Sequence, residues 1–238
     1  MLAFIHIPKT AGSSVNSSLA AALGFGLSHV EAHIDKSDFE KVISNCNWIS
    51  GHVTRSKFAD KLKNVRKVNY ITFMRSPIEQ LISHVKWQFA IFDKGREFFL
   101  SHPMINQIIA LETMNVNYDK PSEVIDLLRK YNGLFLNYQS RFIANGINNN
   151  LCTEVLEEIC SFFSLIGTTE NLYPLLSGYL GTEIPEVKEN ENKQTYFNED
   201  VFTDNEVESF INEHNSLDIQ IYKFVKDEID PLILEKNK

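Results

Sequence analysis

No segment of the chain reaches the ~18 consecutive apolar residues that cross a bilayer as a helix, so an integral membrane span is not expected. Cysteine is scarce. Cys46, Cys152 and Cys160 are odd in number and lack metal-binding spacing, which excludes a disulfide framework and fits reduced thiols in a cytosol. Cys152 and Cys160, eight apart on a helical pattern, are expected to pack. A basic leader with a cleavage site is also missing: Met1-Leu2-Ala3 runs straight into a strand pattern, and a cytoplasmic protein is the expectation. There are only seven prolines, no internal repeat, no low-complexity tract and no clear linker. What remains is the composition of one soluble domain spanning 1–238, long enough to bury a large core.

Charge of one sign is short in each part of the chain. Residues 1–90 carry eleven Lys and Arg against six Asp and Glu, whereas residues 91–238 carry twelve against twenty-five. The formal net charge of −8 speaks against nucleic-acid binding, which calls for a more basic domain. Within the basic part, Arg55, Lys57, Lys61, Lys63, Arg66 and Lys67 are opposed locally only by Asp60. Such a cluster either steers an anion or is the solvated face of a connecting helix.

The chemistry is concentrated near the start. Phe4-Ile5-His6-Ile7-Pro8 is an apolar run that ends in Lys9-Thr10-Ala11-Gly12-Ser13-Ser14, and a helix-compatible stretch over 14–23 follows. A strand, a short loop and a helix N-terminus form a phosphate cradle: backbone N–H groups, hydroxyl donors and a lysine charge converge on one anion. The order is not that of the Walker loop, G-x-x-x-x-G-K-[ST], because here the lysine precedes the glycine.

Two further segments carry candidate groups. Val68 to Met74 is rich in β-branched and aromatic residues and reads as a buried strand, followed by Arg75, a capping Ser76 and a helix from Pro77. Arg75 and Ser83 are eight apart, and a guanidinium fork with a hydroxyl suits a second phosphate. A strand-end arginine paired with a surface carboxylate is the alternative. Between the two, Trp48-Ile49-Ser50-Gly51-His52-Val53 reads as a short strand ending in Gly-His. A histidine has an unperturbed pKa near ~6.5 and can remove a hydroxyl proton near neutral pH; a satisfied structural histidine is the alternative for His52.

Together these segments resemble the carbohydrate sulfotransferases that use 3′-phosphoadenosine-5′-phosphosulfate (PAPS), and among them those similar to heparan sulfate 2-O-sulfotransferase. The resemblance implies that Lys9, Thr10, Ala11, Gly12, Ser13 and Ser14 bind the 5′-phosphosulfate, and that Arg75 and Ser83 bind the 3′-phosphate. It implies His52 as general base and Lys9 as the charge that stabilises the leaving nucleotide, PAP, with no metal required. Where the family member has a second histidine two positions before the base, this chain has Ser50, and other Asp and Glu side chains remain alternatives for the base. Asn137 to Phe142 resembles a mid-chain Asn-x-Gln-x-Arg-Phe segment on a helix, and Leu165 to Leu172 a late Gly-x-x-Glu segment in which Thr169 would cap a helix. Lys193 and Thr195 resemble a Lys-Thr pair in a loop, 183–200, that would close on the nucleotide.

The implied acceptor is a hydroxyl of a glycan, glycolipid or small glycoside, with His6, Arg55, Lys57, Trp87 and Arg141 as candidate contacts. A divergent P-loop kinase or NTPase, and a nucleotide-binding module without turnover, are the rival readings. The expected fold is α/β of P-loop-like three-layer type, with a central, mainly parallel sheet flanked by helices. Strands are expected at 2–7, 48–51, 68–74 and 164–168, and helices at 14–23, 77–92, 103–113, 121–131, 134–145, 152–163 and 170–180, with amphipathic helices over 203–235. Lys9, His52 and Arg75 then each follow a strand, where a parallel sheet places its ligand loops.

Overall fold

The computed structural model describes residues 1–65, 67–146, 151–186 and 194–236. Five strands run β1 Leu2–Ile5, β2 Gly26–Leu27, β3 Trp48–Gly51, β4 Asn69–Met74 and β5 Leu165–Thr168. The first helices are α1 Gly12–Leu23, α2 Phe39–Ile43, α3 Arg55–Lys61, α4 Pro77–Asp93, α5 Arg96–Ser101, α6 Met104–Met114 and α7 Pro121–Lys130. They are followed by α8 Asn132–Phe135, α9 Ser140–Ile143, α10 Thr153–Ser161, α11 Leu172–Leu180, α12 Asn205–His214, α13 Ser216–Phe224 and α14 Asp230–Lys236. By contact the chain divides into two compact units. One comprises Met1–Arg75, Gln139–Asn190 and Gln220–Lys238; the other comprises Ser76–Tyr138 and Glu191–Ile219.

The first unit holds the whole sheet, in the order β2-β3-β1-β4-β5 with every pairing parallel, and helices flank it in a three-layer α/β arrangement. Apart from the two-residue β2, the strands are mainly apolar and buried, as a sheet covered on both faces requires. Phe4, Ile5, Ile49, Ile71 and Phe73 are all fully buried. On one side Phe4, Ile71 and Phe73 pack with Val15 and Leu19 of α1 and with Leu172, Leu175 and Leu176 of α11. Each such side chain contributes about 1.5–3 kcal/mol by leaving water. The parallel register pairs Ile5 with Gly51 and Phe4 with Ile71, so β1, β3 and β4 end at the same edge. The chain leaves β1 toward β2 on one side, and β4 and β5 lie on the other, so this edge contains the switch of strand order where α/β sheets form a crevice.

The second unit is helical among its described residues. Its core joins Leu81, Val85 and Phe89 of α4 to Val124 and Leu128 of α7, Phe135, Phe202, Val207 and Ile211. A cluster of the Phe89, Tyr118 and Phe197 rings, the last two stacked, extends it, and Lys86 pairs with Glu199 at 2.6 Å. No described helix is long and apolar enough to cross a membrane.

Local differences from the sequence reading have local causes. The helix expected over 134–145 is two pieces, α8 and α9, because Leu136 is extended and Asn137 is left-handed, with φ 47°. Asn137 is held there by its own amide, which donates to the His214 carbonyl and accepts from the Leu217 N–H, an instance of tertiary hydrogen bonding overriding helix propensity. Pro77 opens α4 as expected, yet Ser76 before it makes no side-chain cap bond. Thr169 does not cap α11 either: it lies in a 3₁₀ turn and its hydroxyl meets Glu170, while the neighbouring Thr168 donates to Asp230. Cys160 and Cys46 are buried, whereas Cys152 is exposed rather than packed.

Candidate functional site

The loop between β1 and α1 is shaped by two non-glycine residues in the left-handed region, Lys9 at φ 71° and Ala11 at φ 59°. Single left-handed residues of this kind cost of order 1–2 kcal/mol and persist where the surrounding structure fixes them. The fixing groups are visible. Thr10, fully buried between the two, donates its hydroxyl to the Ile7 carbonyl at 2.9 Å, and the His6 N–H donates to the Gly51 carbonyl at 3.1 Å. Helix α1 begins at Gly12, two residues before the expected start, and its first-turn N–H groups have no acceptor within the helix. Ser14 is buried; Lys9 and Ser13 are half-buried.

Gly12 is required by a close approach. A Cβ there would lie 1.7 Å from Nε2 of His6. His6 is 8 % exposed, and its Nδ1 has no hydrogen-bond partner among the described residues. Burial first, then the neighbouring His52, His29 and Lys9, hold its pKa down at about 3, so it is a neutral ring at physiological pH.

His52 follows β3 directly, and its ring lies against that of His6, with centroids 4.2 Å apart. Its Nδ1 is 2.9 Å from the His6 carbonyl oxygen. A carbonyl only accepts, so Nδ1 carries the proton and Nε2 keeps its lone pair. Burial lowers the His52 pKa; the carbonyl bond and the charge of Glu31 oppose that shift, and His29 and Lys9 add to it. The result is a half-buried neutral imidazole with its basic nitrogen defined by the backbone, beside a lysine.

Two residues that the sequence reading did not single out complete this corner. Glu31 accepts the His52 backbone N–H at 3.0 Å through one oxygen and meets His29 Nδ1 at 3.1 Å through the other. A Cβ on Gly51 would come within 2.4 Å of the first of those oxygens, so the glycine of the Gly-His pair makes room for the carboxylate. The only sequence signal was His29-Val30-Glu31 itself, in a stretch without periodicity. Ser50, two residues before His52, is fully buried and donates to Asn16 Oδ1 at 2.6 Å, tying β3 to α1. The histidine neighbour of His52 is His6, which directly follows β1.

Arg75 lies at the end of β4, on the same edge as Lys9 and His52, and is half-buried. Its peptide is clamped by a fully buried amide: the Arg75 N–H donates to Gln139 Oε1 at 3.0 Å, and Gln139 Nε2 donates to the Arg75 carbonyl at 2.8 Å. Gln139 is thus the structural centre of the Asn-x-Gln-x-Arg-Phe segment. Ser83 lies half-buried on α4, in the second unit.

The other sequence candidates disperse. Lys57 and Lys61 both pair with Asp35, from outside the cluster, at 2.6 and 3.3 Å, and Lys63 pairs with Asp60 within it, so three of its cations are paired. The Arg55 guanidinium lies 4.4 Å from the Phe162 ring centroid. His6 is buried behind His52, Arg141 is exposed, and Trp87 stands in the second unit against Phe98 and Lys94. Lys193 lies outside the described residues, as do residues 187–192 of the loop it belongs to. Comparison with models of known protein families and with curated proteins finds no match.

Proposed function

We propose that the protein is a sulfotransferase that moves a sulfuryl group from PAPS to a hydroxyl of a carbohydrate or glycoconjugate. The observation that carries this reading is that Lys9 shares a sheet edge, close enough for its charge to be felt, with a histidine whose Nε2 lone pair is set by a backbone carbonyl. A lysine in a strand–loop–helix turn is suited to a phosphosulfate, and a neutral imidazole beside it is suited to the acceptor hydroxyl. The resemblance in sequence supplies the donor's name.

In this reading the Lys9–Ser14 loop and the first turn of α1 receive the 5′-phosphosulfate, and the Arg75 guanidinium serves the 3′-phosphate. The acceptor oxygen attacks sulfur in line, its proton passes to Nε2 of His52, and the bond from sulfur to the bridging phosphate oxygen breaks. The negative charge that develops on that bridging oxygen is offset by Lys9. The imidazolium formed on His52 is stabilised by Glu31 and by the His6 carbonyl. Positioning and electrostatics supply most of the rate, as in phosphoryl transfer.

Thermal shifts with PAP, PAPS, ATP and ATP with Mg²⁺ test the donor. Stabilisation by PAP and PAPS above both ATP arms is expected; preference for ATP with Mg²⁺ would make the protein a kinase or NTPase. Transfer of labelled sulfate from PAPS into glycan, glycolipid or small-glycoside acceptors tests the reaction. PAP binding without transfer to any of them would leave a nucleotide-binding module.

A further inference from the structure

We propose that His29, Glu31 and His52 form a binding site for a divalent transition metal of the zinc type. One ligand atom from each lies within 4.8 Å of the other two. The three come from two rigid places in the first unit. His29 and Glu31 flank Val30, which is fully buried and opens a 3₁₀ turn, and His52 stands at the end of β3. His29 is itself fixed in the left-handed region, at φ 57°.

The surroundings of the three side chains are those of a built site. The Nδ1–H of His52 donates to the His6 carbonyl, the outer contact that typically orients a metal-binding imidazole and leaves Nε2 outward. Glu31 is held by the His52 N–H, in space that a side chain on Gly51 would fill. Its second oxygen already faces His29. Beneath them lies the buried His6 ring, with an Nδ1 that has no partner among the described residues. Two imidazoles and one carboxylate are a borderline donor set: they suit Zn²⁺ and Co²⁺, whereas Mg²⁺ and Ca²⁺ prefer an all-oxygen shell. Three protein ligands leave at least one position open to water or another ligand. His29 is 64 % exposed at the side chain, so an ion has access from solvent.

The site includes the histidine that serves as base in the proposed sulfotransferase, and this consequence rests on that reading: an ion bound there takes the Nε2 lone pair and stops transfer. Zinc would then act as a reversible inhibitor at the acceptor side, with the nucleotide loop left intact.

The test uses the full chain carrying Cys152→Ser, so that the exposed thiol does not report, after treatment with a chelator. Co²⁺ titration followed by visible absorption, and Zn²⁺ titration by calorimetry, are expected to show one equivalent bound. His29→Ala and Glu31→Gln should each weaken Zn²⁺ at least 10-fold, with unchanged circular dichroism and an unchanged thermal shift by PAP. Absence of one-equivalent binding, or equal Zn²⁺ affinity in both variants and the parent, overturns the site. Neither titration contains PAPS or acceptor. A chain that binds zinc but not PAP therefore keeps the metal site and loses the sulfotransferase reading. Where transfer is measured, Zn²⁺ should inhibit the parent more strongly than His29→Ala, and chelator should restore it.

Discussion

Gly12 and His6 share a space that admits no further atom, since a Cβ on the glycine would overlap the imidazole at 1.7 Å from Nε2. The same histidine offers its carbonyl to His52, so the first turn of α1, the β1 end and the candidate base are mechanically one piece.

Gly12→Ala is therefore expected to damage both nucleotide binding and stability. Overpacking of this kind costs about 1–3 kcal/mol. Chemical denaturation should show a lower midpoint, and PAP should no longer shift the melting temperature by its parental amount. A Gly12→Ala protein with parental stability and PAP response would refute the close approach.

Lys9→Ala and His52→Ala are expected to separate two roles. Loss of one transition-state donor typically lowers kcat by roughly 10²-fold or more, and loss of a general base by about 10²–10⁴-fold. Calorimetry with PAP should find the His52 variant close to the parent and the Lys9 variant weaker. Near-normal sulfate transfer by Lys9→Ala would remove the assignment.

Gln139→Leu breaks both hydrogen bonds to the Arg75 peptide and leaves its N–H and carbonyl without those partners. Each buried group left unsatisfied costs about 1–3 kcal/mol. Gln139→Glu can still accept from the N–H but cannot donate to the carbonyl, so it should fall between the parent and Leu in denaturation midpoint. The order parent, Glu, Leu is the outcome to check.

Asp230 is a buried carboxylate that accepts from the Thr168 N–H, the Thr168 hydroxyl and Asn171 Nδ2. Burial raises its pKa above the ordinary carboxylate value, with those hydrogen bonds opposing and the Glu170 charge adding. The folded state thus holds a proton more tightly than the unfolded state, and this group favours folding more as pH falls from neutral through its raised pKa. Relative to Asp230→Asn, the parent should gain stability between neutral and mildly acid pH. A gap between the two denaturation midpoints that does not change with pH would contradict this.

The cysteines provide an independent check on burial. Cys160 is buried and its thiol is pushed up to about 12, Cys46 is likewise buried and raised, and Cys152 is exposed. Since the thiolate is the reactive form, brief maleimide treatment should give one adduct by mass spectrometry, at Cys152. Rapid labelling of Cys160 in the folded chain would contradict the packing of α10.

The features that were legible in the sequence are those written in consecutive residues. Apolar runs at 2–5, 48–51, 69–74 and 165–168 are four of the five strands, and the loop at Lys9, the Gly-His step and Arg75 follow the carboxyl ends of the first three, on one edge because the sheet is parallel. Strand β2 escaped notice because it has two residues and no alternation to read. Glu31 and His29 escaped because their meaning depends on Gly51, some twenty residues on, leaving space for a carboxylate. Gln139 looked like one polar residue on a helix, and only the return of the chain to Arg75 turns it into a clamp. The basic cluster looked opposed only by Asp60 because its other acid partner, Asp35, precedes α3 by twenty residues.

The two left-handed residues in the first loop differ in what evolution or engineering can do with them. At Ala11, φ 59°, glycine fits the backbone better and removes only a methyl group, so stability there is open to improvement by about 1 kcal/mol or less. At Lys9, φ 71°, the same relief would delete the charge on which the proposed chemistry turns. Thermostability and turnover are therefore separable at one position and in direct conflict two residues earlier. A stabilised variant selected without an activity screen would be expected to mutate both, and only the second change would silence the protein.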